Sequence, residues 1–449
     1  MKPLTRVIGC LIFSLGITPA FAKKLPADNS QSAVAYQINV AHTGAITFTN
    51  AFSPPLNEIW RKDLGGAISY PLIAEGKVFV TVVEAGGGYG TMLYALDQTN
   101  GTSVWGPVVL DGTYFWANAA YDQGQVFVVN FDGLLKAFDA KTGNVNWSVQ
   151  LPGQYAFSSA PTAANGTVYI GGAGSGGTLY AVNETNGEVL WTGSVANGDN
   201  SSPALSADSV FVSYACPQSY KFDRLTGNQL WHYSGPCSGG GGKTTVYYNG
   251  RLYVRDVFFD DDYTVNGYAL DAISGQPTGH FSASAAPAFS GKLGFFLNNG
   301  TLQAKTTDTD QTVWSFAGDG ALSTAPIVVN NVVYVGSTSG SLYALNTTSG
   351  EQISQINVGA SIPAPDEHNV SQPLTGLSAG EEMIVVPAGN TLVAFKAVCT
   401  MHHHIKGALG AKSGQPTFDA ALDLNHDDRI DSNDLAILER RVPKGKPCK

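Results

Sequence analysis

Ala137-Phe138-Asp139-Ala140-Lys141-Thr142-Gly143-Asn144-Val145-Asn146-Trp147 is the stretch that decides the architecture of this chain. It holds the end of an apolar strand, a tight hairpin built on Asp and Gly, and a Trp in the strand that follows. The glycine supplies a positive φ at the turn. The indole is a large apolar surface that needs a neighbour to cover it.

The same pattern recurs along the chain. Tyr94-Ala95-Leu96-Asp97 is followed by Gly101 and Trp105, and Tyr180-Ala181-Val182-Asn183 by Gly187 and Trp191. Tyr220-Lys221-Phe222-Asp223 is followed by Thr226-Gly227 and Trp231. Three copies are weaker. Tyr268-Ala269-Leu270-Asp271 keeps Gly275 but reads Phe281 for the Trp; Leu302 to Lys305 loses the glycine but keeps Trp314; Tyr343 to Asn346 keeps Gly350 and ends in Ile353. An eighth strand, Leu392 to Lys396, has no Trp strand after it, whereas Glu58-Ile59-Trp60 has no strand of the other kind before it. The two halves complement each other, so Trp60 is expected to complete the blade of Phe395 and shut a ring of eight.

The second residues of the copies, from Ala95 to Ala394, lie 34 to 50 residues apart, the size of a four-stranded propeller blade. Further strands are legible at Gly166 to Ile170 and Val332 to Gly336, each following an Ala-Pro pair. The expected fold is therefore all-β: an eight-bladed β-propeller of four-stranded blades, closed by strands from its two ends and followed by a small α-helical calcium-loop tail. Two stacked sandwiches or a seven-bladed ring is the competing arrangement, since two copies are degenerate. The expected organisation is a signal peptide at 1–22, a lead segment at 23–56, the propeller at 57–398 and the tail at 399–449.

Ala-x-Asp-x-x-Thr-Gly-x-x-x-Trp resembles the tryptophan-docking repeat of the pyrroloquinoline-quinone (quinoprotein-like) propeller superfamily, over roughly residues 57–398. The resemblance implies that the Asp-x-x-Thr-Gly hairpins lie on one face of the ring. The loops entering each blade, and those joining its second and third strands, form the other face, which usually carries the ligand. On that face it places Glu84, the run Tyr114-Phe115-Trp116, Tyr155, Asp260 and Asp262, and Asp366, Glu367 and His368. It also raises quinone-dependent alcohol or sugar oxidation, with pyrroloquinoline quinone as cofactor. Such enzymes use a vicinal cysteine pair beside the quinone and a Glu, Asn and Asp set around calcium. No two cysteines are adjacent here, and no such set is legible by local motif. A binding or scaffold role is therefore expected ahead of the dehydrogenase, with a protein or carbohydrate ligand on the open face.

Lys2 and Arg6, the apolar run Val7 to Ile17, and Ala20-Phe21-Ala22 have the form of an export signal, so a periplasmic or secreted protein is expected. Val7-Ile8-Gly9-Cys10 looks like a lipoprotein box but stands ahead of the apolar run rather than after it, unlike the related outer-membrane assembly lipoprotein. No other segment has transmembrane length. The net charge of −10 disfavours nucleic acid and anionic membranes as partners. Four cysteines follow the signal, and the loop positions of Cys216 and Cys237 suit a disulfide, as do Cys399 and Cys448 around the tail.

In the tail, Asp423, Asn425, Asp427, Asp431 and Asp434 put oxygen side chains at positions 1, 3, 5, 9 and 12 of a loop in which Arg429 supplies a carbonyl. That spacing wraps oxygens around a hard cation such as Ca²⁺. The Asp at position 12 resembles dockerin modules, which raises as a further alternative a polysaccharide-associated protein docking through its tail, but those modules carry two such loops, which counts against a cohesin-type partner. Short helices are expected at Phe418 to Leu422 and Leu435 to Arg441. His402-His403-His404 reads as an exposed linker, and adjacent histidines do not readily converge on one ion.

Overall fold

The computed structural model describes residues 31–50, 52–84, 89–198, 201–215, 218–235, 242–256, 266–367 and 370–440. Eight sheets make eight blades, each with four strands in sequence order, and the last takes its fourth strand from the start of the chain. Leu56–Asp63 pairs antiparallel with Thr391–Ala397, with Glu58 opposite Phe395 and Trp60 opposite Ala394. The expected closure holds. It turns the ends of the repeat into one blade, which leaves no open edge between first and last.

Tryptophan docking explains why the repeat is written as it is. The Trp105 indole N–H donates to the Ala140 carbonyl in the next blade, 3.0 Å away. A Cβ on Gly143, at φ +74°, would come within 2.6 Å of the Trp105 ring. Glycine is thus required twice there, by the left-handed backbone and by the indole lying on it. Trp60, Trp147, Trp191, Trp231 and Trp314 donate likewise to Gln98, Glu184, Arg224, Ala272 and Thr347.

The degenerate copies differ from their expected reading. Register puts Gly279 opposite Ala269 and Ser354 opposite Ala344, so these residues hold the Trp positions. Phe281 lies two residues further on and is buried in the core. The physical reason lies in the facing hairpin. At its glycine position the sixth blade has Asp310, at φ +55°, and a Cβ on Gly279 would meet the Asp310 carboxylate at 2.7 Å. The glycine missing from one blade and the indole missing from its neighbour belong to the same joint.

The lead segment, which sequence gave no role, plugs the axis. Carbonyls of Ala33, Val34, Val40, Ala41, Thr43 and Gly44 accept the N–H groups of Ile73, Tyr121, Leu205, Tyr247, Phe289 and Val328 at 2.7 to 2.9 Å. The donors sit at one register position on the innermost strands of blades 1, 2, 4, 5, 6 and 7. The Gln31 carbonyl reaches blade 8 through the Glu381 N–H. Ala45–Ile46 also adds a parallel fifth strand to blade 7.

The tail grows directly out of the last strand. Val398–Ala408 is a helix, so His402 to His404 are helical rather than a linker. His402 is buried and faces Glu439 at 3.6 Å, and His404 pairs with Glu382 of blade 8 at 3.1 Å. Ala420–Leu422 is a 3-10 turn, shorter than the helix expected there, and Ser432–Glu439 is the second helix, starting three residues early. It starts early because Asp431 caps it, with Asp434 closing a reciprocal capping box.

Candidate ligand face and the ion pair across the channel

The plug sits on the side of the turns between first and second strands, which leaves the opposite face as the open one. Tyr36 rises from the plug into the channel, its ring 5.3 Å from that of Tyr70. His42 holds Thr162 through Nε2 at 3.1 Å, and burial lowers its pKa to about 4, so its ring is neutral.

Above this floor an ion pair spans the channel. Arg255 ends the second strand of blade 5, and Glu367 belongs to the connection from blade 7 to blade 8. Their side chains, 0% and 5% exposed, meet at 2.5 Å. The Thr244 N–H donates to the other Glu367 oxygen. Burial pushes the Glu367 pKa up, but Arg255 and then Lys243 more than offset it and hold the acid down at about 2. Burial and the Arg255 charge lower the Lys243 pKa in turn. Arg255 Nε and Nη1 and the Tyr36 hydroxyl are buried with no hydrogen-bond partner among the described residues. Glu367 was legible as a polar loop residue. Arg255 was missed, although an arginine ending the strand Arg-Leu-Tyr-Val-Arg, at a register position where the other second strands carry no charge, is the available signal.

The other expected face residues disperse. Trp116 is 2% exposed and packs in the core between blades 2 and 3, so it offers no stacking surface. Tyr155 is 65% exposed, and its hydroxyl donates to the Gly174 carbonyl. Tyr114 packs at a tilt against Phe131, with ring centres 4.3 Å apart, and Phe115 against Tyr89 at 5.1 Å. Glu84 is half-buried and Asp366 exposed. Asp260, Asp262, His368, Cys216, Cys237 and Cys448 lie outside the described residues, as does the expected signal. Cys399 is disulfide-bonded.

The tail loop is held by main-chain donors. Both oxygens of Asp423 accept N–H groups, from Asp427 and Asp428, and both of Asp434 do, from Leu424 and Asp431. His426 and Asp428 take positive φ. The neighbouring segment pairs with it: the Ile430 carbonyl accepts from Gly410, and the Ile430 N–H donates to Ala411. Among the described residues no three His, Cys, Asp or Glu side chains are gathered closely enough to hold a metal ion. For a quinone accompanied by a cation, the described part of the face supplies Arg255 and Lys243 but no acidic cation set. It does not fit that pair.

The profile of the outer membrane protein assembly factor BamB family, built on the quinone-type repeat, matches residues 91–242, 132–287, 175–363 and 298–399, overlapping so as to cover most of the chain. The chain belongs to this family of repeat propellers. It is 25% identical over 407 residues to the dehydrogenase subunit of a quinone alcohol dehydrogenase from Gluconacetobacter polyoxogenes, covering 79% of this chain and 52% of that one. It thus spans about half the length of that relative, and 37% of the counterpart from Komagataeibacter europaeus. To BamB of Yersinia pestis it is 23% identical, over 67% of this chain and 90% of that one. Among solved structures, the quinohemoprotein alcohol dehydrogenase of Comamonas testosteroni superposes with a TM-score of 0.63 at 14% identity, over 82% of this chain and 81% of that one. BamB of Moraxella catarrhalis gives 0.56 at 16%, over 76% and 98%. At these identities the superpositions show the fold. No helix among the described residues is long and apolar enough to cross a membrane.

Proposed function

We propose that this chain is an exported scaffold: a rigid propeller that presents one open face to a protein or carbohydrate ligand, with a calcium-binding loop in its tail. The observation that carries this reading is the Arg255–Glu367 pair across the channel above a plugged floor. Its charges are used to tie blade 5 to the connection between blades 7 and 8. A buried pair of this kind holds geometry in place, and that suits a binding platform better than turnover of a substrate. The extent of the match to BamB, 90% of that protein and 67% of this chain, supports the same reading.

The rival is quinone-dependent alcohol oxidation, favoured by the names of several relatives and by the unpartnered Arg255 nitrogens. Titration calorimetry with pyrroloquinoline quinone and Ca²⁺ separates the two. The scaffold reading expects no stoichiometric quinone uptake and no dye reduction with alcohols or sugars. Tight uptake of one quinone per chain overturns it.

A further inference from the structure

Among the described residues the plug bonds through its main chain to the inner edge of seven of the eight blades, and the exception is blade 3. Between Val34, bonded to blade 2, and Val40, bonded to blade 4, the chain turns into the channel through Gln37 and Ile38, both at positive φ. Among the described residues its hydrogen bond to blade 3 is that of the His42 ring with Thr162, beside the apolar contact of Val40. Ala163 pairs with Val168 in the register that aims the N–H of Ile73, Tyr121 or Leu205 at a plug carbonyl, yet no plug carbonyl meets its own N–H.

A cavity of about 300 Å³ opens at that place. Val34, Ile38, Val40, Ala163, Ala164 and Leu205 give it mainly apolar walls, and Asp122 stands on its rim. The wall is fixed from behind by Arg224, which donates to the Ala164 and Ser206 carbonyls. Asp122 is itself held by the Asn165 N–H at 2.7 Å. Next to it Glu184, raised to about 8 by burial and then by Asp122, keeps its proton at neutral pH and leaves the negative charge on the rim.

We propose that blade 3 carries a docking seat for an extended peptide of a partner protein, on the face opposite the open ligand face. A peptide carbonyl takes the Ala163 N–H, an apolar side chain enters the cavity, and a basic neighbour meets Asp122. The choice of a peptide rests on the six equivalent positions around the ring, where the acceptor is in every case a main-chain carbonyl. This is strand addition at a sheet edge, in which backbone bonds give affinity and the side-chain pocket gives selectivity. The seat is independent of the scaffold reading above, because it uses neither the channel ion pair nor the open face.

Hydrogen exchange on the full chain tests it, with acetyl-Lys-Val-Leu-Val-amide as the probe. Exchange over Thr162 to Asn165 should slow about tenfold at ten times the Kd, with the other inner strands unchanged. The same peptide with Glu for Lys should bind more weakly. Ala164→Trp, which fills the cavity, should abolish the protection while the thermal melt shows a folded ring. Val40→Trp fills it from the plug side should the first variant fail to fold. Three results overturn the proposal: no protection up to the solubility limit, protection that survives both variants, or an Ala163 amide already slow in the free chain, which would mean that the chain fills its own seat.

Discussion

Glu184 is a carboxyl that burial and Asp122 hold in its protonated form up to about pH 8. Its folded pKa lies above the unfolded value of 4.5, so the folded ring binds the extra proton between those two values. Stability from this group is therefore full below pH 4.5 and is lost as pH rises through 8. Glu184→Gln keeps the shape and removes the titration, so between pH 5 and pH 8.5 it should become more stabilising by about 3–4 kcal/mol, read by urea unfolding at both values. Glu367 has the opposite sign. Held down at about 2, it contributes stability above pH 4.5 that disappears as pH falls toward 2. Glu367→Gln leaves the Arg255 charge buried without its counterion, at a cost of about 3–5 kcal/mol, and should flatten the acid limb of the stability profile.

The unit of construction at the next level is a hairpin on one blade and an indole on the one before it. Gly279 and Asp310 stand where a Trp and a Gly would stand between blades 5 and 6. Gly279→Trp alone should clash with the Asp310 carboxylate, and Asp310→Gly alone should gain little. Together they rebuild the standard joint, so a double-mutant cycle should show coupling of about 1–3 kcal/mol, and strict additivity would refute the pairing. In the tail, the loop Asp423 to Asp434 has backbone bonds that orient its two buried carboxylates, and it is buttressed by a segment without acidic ligands from Gly410 to Lys412. One calcium ion per chain is expected by calorimetry, and Asp434→Ala should abolish it, since position 12 also ties the loop ends together. No uptake at millimolar calcium would remove the ion from the tail.

Ring closure and the axial plug act on the molecule as a whole. A chain shortened to begin at residue 52 keeps the closing strand Leu56–Asp63 but loses at least nine plug-to-blade main-chain bonds and the buried Tyr36 and Ile38. At about 1 kcal/mol per bond, it should unfold at a markedly lower urea midpoint while retaining β-sheet circular dichroism. An unchanged midpoint would reduce the plug to a passenger.

The ring was legible because its grammar is local. Asp139, Thr142, Gly143 and Trp147 lie within one hairpin, and each needs a left-handed turn or an apolar cover whatever surrounds it. Recurrence of that need along the chain, with Trp60 left over at one end and Phe395 at the other, determined blade number and closure without coordinates. The functional groups have no such grammar. Arg255 and Glu367 are separated by more than one hundred positions and become partners because the ring turns blade 5 and the connection between blades 7 and 8 toward the same axis. Trp116, by contrast, has the composition of a binding surface but is turned inward by packing between blades. The lead segment carries no repeat at all, and its role exists only in the presence of the eight inner edges it serves. Local chemistry specifies turns and strands, whereas contacts across an axis depend on the ring having formed.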